Sequence, residues 1–154
     1  VRKYARQFIA KKISLSYEPV ETTVITDKKW LSFVIEQVIS NAVKYTKTGG
    51  IKIYLEDGDG TMSVPVQKAS HRKEDDGENS GMKSVRLVIE DTGIGIRAED
   101  LPRICEMGYT GCNGHEGQHS SGIGLYLCSR ILKKLGHTFS ITSKEGVGTV
   151  VKIG

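Results

Sequence analysis

From Asp27 onward the chain carries the pattern that most restricts its fold. Trp30, Val34 and Val38, joined by Leu31, Ile35, Ile39 and Ala42, recur at spacings of three and four residues. That period predicts an amphipathic helix capped by the Asp27 carboxylate and running to about Tyr45, before Gly49 and Gly50 break it. A helix with so broad an apolar face needs a second apolar layer to cover it. Its other side is polar in an ordered way: Gln37, Asn41 and Lys44 stand four and three residues apart on one face, with Tyr45 flanking them. A solvated helix face would explain such a stripe. So would a phosphate site, because an Asn oxygen is a neutral hard ligand for Mg²⁺ already balanced by phosphates, and Lys44 supplies a point charge.

The covering layer is legible on either side of that helix. A helix is predicted over residues 2 to 11, then a half-buried strand through Ile13, Leu15 and Tyr17 and a short one at Val24 and Ile25. Alternation returns at Ile51, Ile53 and Leu55, and again at Val85, Leu87 and Ile89. A second helix is predicted from near Gly122, with Ile123, Leu127, Ile131, Leu132 and Leu135 apolar, Lys133 and Lys134 complementing its dipole, and Gly136 as the stop. Phe139 and Ile141, then Val147 to Ile153, read as a closing hairpin. The order α-β-β-α-β-β-lid-α-β-β predicts an α+β fold in two layers, a mixed and mostly antiparallel sheet with helices on one face.

Two segments break the rhythm. Residues 57 to 83 are rich in Gly, Ser, Asp and Lys and read as a hairpin insertion. Asp57, Asp59 and Thr61 open it like a calcium loop, but Met62 stands at the obligatory Gly position and Lys68 at the closing Glu position, so calcium binding is rejected. Residues 97 to 121 hold glycines every few positions from Gly108 onward and are expected to form a mobile lid.

At 154 residues the chain suits a single domain, and no stretch approaches the roughly 18 apolar residues of a membrane span. The start at Val1 without a leader reads as an excised piece of a longer protein. A net charge of +4, scattered among acids, does not form the basic stripe of a nucleic-acid binder. Cys105, Cys112 and Cys128 lack CxxC spacing, which fits a reducing cytosol rather than a disulfide framework.

Three further motifs carry chemistry. Asp91, Thr92, Gly93, Ile94 and Gly95 follow a strand, where a buried carboxylate could accept the exocyclic amino proton of adenine and reject guanine's carbonyl. Taken alone, Asp-x-Gly is also an ordinary turn. Ser121, Gly122, Ile123, Gly124 and Leu125 open a helix whose free amides favour a phosphate. Gly146, Val147, Gly148 and Thr149 fit a tight hairpin.

In order and content these four segments resemble the N box and the three glycine boxes of the GHKL superfamily, which includes gyrase, MutL and the histidine kinases. Ser40-Asn41-Ala42-Val43-Lys44-Tyr45, Gly108-Tyr109-Thr110-Gly111 and Gly124-Leu125-Tyr126-Leu127 look like the bacitracin-sensor type of intramembrane-sensing histidine kinases. The resemblance implies a Bergerat α/β sandwich and ATP with Mg²⁺ as cofactors. It implies Asn41 on the metal and Lys44 on phosphate, with Gln37 completing the catalytic set. Tyr45 would lie by the nucleotide and Asp91 on adenine; Gly93, Gly95, Gly122 and Gly124 would shape the pocket, with Ile96, Leu125 and Thr149 as further contacts. Cys105 stands where the family's lid usually has Phe, and Thr110 where many members have Arg, leaving Arg103 as the candidate phosphate contact.

The expected activity is transfer of the γ-phosphoryl group of ATP to a histidine on a separate dimerisation domain, with a response regulator downstream. The parent would be a membrane-anchored homodimer with this piece cytoplasmic and monomeric. Gln37 occupies the place of the water-activating Glu in gyrase-like ATPases, and an amide cannot take a proton, so hydrolysis should be slow. Neighbouring Glu36 is turned about 100° around the helix. His71, His115, His119 and His137 all lack the helical context of a phosphoacceptor. Other readings stay open: a nucleotide-binding module without catalysis, a serine kinase of the same superfamily, and a zinc site of Cys105, Cys112, His115 and His119.

Overall fold

The computed structural model describes residues 2–18, 22–57, 66–67, 84–111 and 121–154. After a 3₁₀ turn at Arg2–Tyr4 come α1 (Ala5–Lys11), β1 (Ser14–Tyr17), β2 (Thr23–Val24), α2 (Lys28–Tyr45) and β3 (Gly50–Asp57). There follow β4 (Val66–Gln67), β5 (Val85–Asp91), α3 (Gly124–Leu135), β6 (Phe139–Lys144) and β7 (Gly148–Ile153). Five strands form one sheet in the order β1-β3-β5-β7-β6, with β1 parallel to β3 and every other pair antiparallel. This is the mixed, mostly antiparallel sheet that the alternation predicted.

Register turns the strand pattern into a core. Ile53, Ile89, Val151 and Ile141 lie side by side across four strands, as do Leu55, Leu87, Ile153 and Phe139. These rows meet Val34, Val38, Ala42 and Val43 of α2, Cys128 and Leu132 of α3, and Phe8 of α1 in one apolar cluster. All the helices therefore cover the same sheet face. Fully burying each such aliphatic side chain is worth about 1.5–3 kcal/mol, and Val34, Val43, Ile51, Ile89 and Leu132 lie among the most deeply buried. The third row ends differently: Ile51 is followed by Asp91, Thr149 and Ser143. The helix-covered face is thus apolar along most of its length and polar at one end.

α2 is held at both termini. Asp27 accepts hydrogen bonds from the amides of Lys29 and Trp30 at 2.9 and 3.1 Å, the cap expected from the sequence. At the far end the Lys11 ammonium donates to the carbonyls of Val43 and Lys44 at 2.6 and 3.0 Å and approaches that of Thr46 at 3.4 Å. A cation here satisfies orphan carbonyls and complements the helix dipole. The residue after it, Lys12, takes a left-handed conformation that ends α1 and turns the chain into β1.

Several local expectations shift. The first helix begins as a 3₁₀ turn, and α3 begins at Gly124 rather than near Gly122 because Gly122 adopts a positive φ of 66°. Tyr17 is 60% exposed because β1 is an edge strand. Within the predicted insertion, Val66–Gln67 pairs with Thr23–Val24; the rest of that segment, like residues 112–120 of the predicted lid, lies outside the described residues.

Replacing Lys11 by Met should cost about 1.5–3 kcal/mol, the net worth of charge-assisted bonds to carbonyls. Urea unfolding should show most of that loss restored in Lys11→Arg.

Candidate functional site

At the polar end of the sheet, α2, the turn after β5, the start of α3 and β7 enclose a cavity of about 320 Å³, a size in the range of small-molecule sites. Gln37, Asn41, Lys44 and Tyr45 line it from α2; Asp91, Gly95 and Ile96 from β5 and its turn; Gly122, Gly124 and Leu125 from the start of α3; and Thr149 from β7. Among the residues that the resemblance placed in the site, Gly93 and Arg103 are outside the lining. Gly93 sits directly behind it, its amide donating to Asp91 Oδ1 at 2.9 Å. The Arg103 guanidinium pairs instead with Glu106 at 3.2 Å and stacks 4.3 Å from the Tyr109 ring centroid.

Each wall follows from local structure. The polar stripe of α2 faces the cavity because Val34, Val38, Ala42 and Val43 hold the helix against the sheet. Glu36 is turned away, 2.7 Å from the Lys3 ammonium, whose hydrogen bond and charge hold its carboxyl below the usual value. Gly95 has φ of 69°, and a β-carbon there would stand 2.1 Å from the Lys144 carbonyl, so the turn closes against the β6–β7 hairpin only with glycine. At the start of α3, Ile123 offers no side-chain cap and the first turn has no acidic residue. Its open amides and positive dipole end abut the cavity, an arrangement that favours an anion.

Asp91 is a buried carboxylate of the site, 9% exposed. Burial pushes its carboxyl above the ordinary value, while amide donors at Gly93 and Thr149 pull it partly back and Glu90 adds to the rise. Its carboxylate is accordingly a poorly solvated acceptor at the cavity's inner end.

The lid side contains residues that sequence reasoning passed over. Asp100 is 6% exposed and lines the cavity; the Tyr109 hydroxyl donates to its Oδ1. Tyr109 is in turn covered by Arg103. The Gly108 amide donates to the Gly122 carbonyl at 3.0 Å, and a β-carbon on Gly122 would come within 2.4 Å of the Gly108 carbonyl carbon. These contacts fasten the segment before the undescribed part of the lid to the start of α3. The acid at 100 three residues after Arg97, within a run of turns, gave only a surface-turn signal. Cys105 is half-buried, and burial raises its thiol above the usual value. Burial, with a small addition from Cys105, pushes the Cys128 thiol up to about 12. The other three members of the suggested zinc set, Cys112, His115 and His119, lie outside the described residues.

Comparison with known proteins agrees with this geometry. Residues 26–154 match the family described as Histidine kinase-, DNA gyrase B-, and HSP90-like ATPase, and the chain belongs to that family. It is 33% identical over 156 aligned positions to the sensor histidine kinase YxdK of Bacillus subtilis, covering 99% of this chain and 41% of that protein. It is 34% identical to the sensor protein kinase GraS of Staphylococcus aureus, covering 87% of this chain and 32% of that one. The chain thus spans well under half of these relatives. Among solved structures, the catalytic domain of histidine kinase ThkA superposes with a TM-score of 0.70 at 18% identity, covering 99% of this chain and 84% of that one. Full-length ShkA in complex with AMPPNP gives 0.70 at 21%, covering 99% and 27%. At these identities the likeness is one of fold.

Asp91→Asn isolates the cost of the buried charge. Because folding raises this carboxyl, the wild type is penalised above the ordinary carboxyl value and relieved below it. The ligand-free Asn variant should therefore gain in melting temperature relative to wild type as pH rises from about 4 to 7, as thermal scans across that interval would show.

Proposed function

We propose that this chain binds Mg²⁺-ATP in the cavity and transfers the γ-phosphoryl group to a histidine on a separate dimerisation domain of the same protein, with a response regulator as the next acceptor. One observation carries the reading: Asn41, Asp91 and the open amides of α3 converge on one cavity in a member of this ATPase family. That relatives are named sensor histidine kinases favours transfer over hydrolysis.

In this reading adenine enters beside Asp91 and Thr149, and Ile96 and Leu125 supply apolar contact. The phosphates reach the start of α3, where Gly122 and Gly124 leave the backbone accessible, and Lys44 lies on the opposite wall. No group of three His, Cys, Asp or Glu able to cage a metal occurs among the described residues. The donor set fits an ion held mainly by phosphate oxygens, with the Asn41 amide oxygen as its protein ligand. Bound there, Mg²⁺ supplies charge neutralisation on the transferring phosphoryl group.

Gln37 cannot act as a base, and Glu36 lies outside the cavity lining, paired with Lys3 on the exposed side of α2. Water in the site is therefore left without a proton acceptor at that place, and the chain's part is positioning and electrostatic stabilisation of an external acceptor. His137 is not that acceptor: its ring is buried, Nδ1 donating to the Gly154 carbonyl at 3.0 Å and Nε2 2.9 Å from Thr26 Oγ1. The other three histidines lie outside the described residues.

No helix among the described residues is long and apolar enough to cross a membrane. The segments Ser40 to Tyr45 and Gly108 to Gly111 support a finer assignment, to the bacitracin-sensor type of intramembrane-sensing kinase, whose catalytic domain would be cytoplasmic in a membrane-anchored homodimer.

Calorimetric titration should show ATP binding that depends on Mg²⁺, with a loss of about tenfold or more in affinity for Asn41→Ala, the scale of one lost ligand or charged hydrogen bond. Mixed with a matching dimerisation helix pair, the chain should yield an acid-labile, base-stable phosphoprotein. Acid-stable phosphoserine, or rapid ATPase abolished by Gln37→Ala, would overturn the proposal.

A further inference from the structure

Across the polar end of the sheet, Asp91, Thr149 and Ser143 stand opposite one another on three adjacent strands. Asp91 and Thr149 line the cavity, whereas Ser143 lies behind them. Ser143 Oγ has three neighbours at hydrogen-bond distance: the Ile96 amide at 2.8 Å, the Gly148 carbonyl at 2.7 Å and Thr149 Oγ1 at 2.9 Å.

Counting protons settles who donates to whom. A hydroxyl has one proton and two lone pairs. The Gly148 carbonyl brings no proton, so the Ser143 proton must lie between those two oxygens. The Ile96 amide can only donate, and it takes one Ser143 lone pair. The contact with Thr149 then requires the Thr149 proton to point at the second lone pair. Ser143 is saturated, and Thr149 is left with lone pairs alone to offer any other group.

We infer that Ser143 is a specificity-determining residue: by holding the Thr149 proton, it makes Thr149 an acceptor only, so the base-binding wall presents acceptors from both Asp91 and Thr149. Such a wall suits a purine edge that ends in a donor, the exocyclic amine of adenine. It opposes a 6-oxo purine, whose carbonyl would face acceptors with no proton between them, an arrangement a binding site penalises strongly. Freed from Ser143, the Thr149 hydroxyl could rotate and donate to that carbonyl. The same serine, through the Ile96 amide, keeps the turn after β5 in register with β7, so polarity and placement of this wall depend on one side chain. The inference rests on the nucleotide reading above and adds to it the origin of base selectivity.

The test compares ATP with inosine triphosphate, in which a carbonyl replaces the exocyclic amine and N1 gains a proton. Their dissociation constants would be measured by calorimetry for wild type, Ser143→Ala and Ser143→Thr, with unfolding temperature recorded for each. Wild type should prefer ATP. In Ser143→Ala that preference should narrow by roughly tenfold, the weight of one unmatched hydrogen-bonding group, chiefly through tighter inosine triphosphate binding. Ser143→Thr, which keeps the hydroxyl, should retain the wild-type ratio. A purely structural serine would weaken both nucleotides together and leave the ratio unmoved, so an unchanged ratio in a folded Ser143→Ala chain overturns the inference while the ATP reading stands. Should the alanine chain fail to fold, Ser143→Cys, whose thiol is a weak partner, is read by the same ratio. Equal affinity of wild type for the two nucleotides also overturns the inference, and no binding of either removes the nucleotide reading with it.

Discussion

Everything at this site depends on α2 being pressed onto the sheet by one face while its other face stays polar. Val34, Val38, Ala42 and Val43 are buried in the shared core, and that contact fixes the helix in rotation as well as position. Because side chains three and four residues apart share a face, fixing the apolar side aims Gln37, Asn41 and Lys44 together. The Lys11 ammonium on the carbonyls of Val43 and Lys44 holds the end that carries Lys44 and Tyr45. The same interactions that stabilise the domain thus orient its polar stripe.

The sheet supplies the complementary wall at some cost in stability. Two cross-strand rows are apolar throughout, but the third changes from Ile51 to Asp91, Thr149 and Ser143. Burying Asp91 disfavours its charged form, and amides from Gly93 and Thr149 offset only part of this. An apolar residue at 91 would pack without that penalty and would leave the cavity without an acceptor. Polar residues at the end of an otherwise apolar face are what make a ligand site rather than more core.

The lid side is fastened by contacts of its own. Cys105 is half-buried, and the fastening is made by Tyr109 donating to buried Asp100, with Arg103 over the ring. Arg103 also engages Glu106, its neighbour three residues on. A partner already within reach in the same turn costs little chain entropy to meet.

The sequence alone determined whatever is local and periodic. The length and faces of α2, the Asp27 cap, the strands β3 and β5, the closing hairpin of β6 and β7 and the glycine stop of α3 all follow from spacing and turn chemistry, and appear as expected. The family motifs within them were legible for the same reason. Tertiary structure decided what depends on register and reach: which strand β1 joins, that Lys11 closes α2, that Asp100 is buried under Tyr109, and that Ser143 stands beside Thr149 and Asp91. In sequence Ser143 is one polar residue in a short alternating strand. Its role arises only when two strand pairings place it behind the cavity, because the direction of a hydroxyl proton is set by neighbours that the chain brings together from far apart.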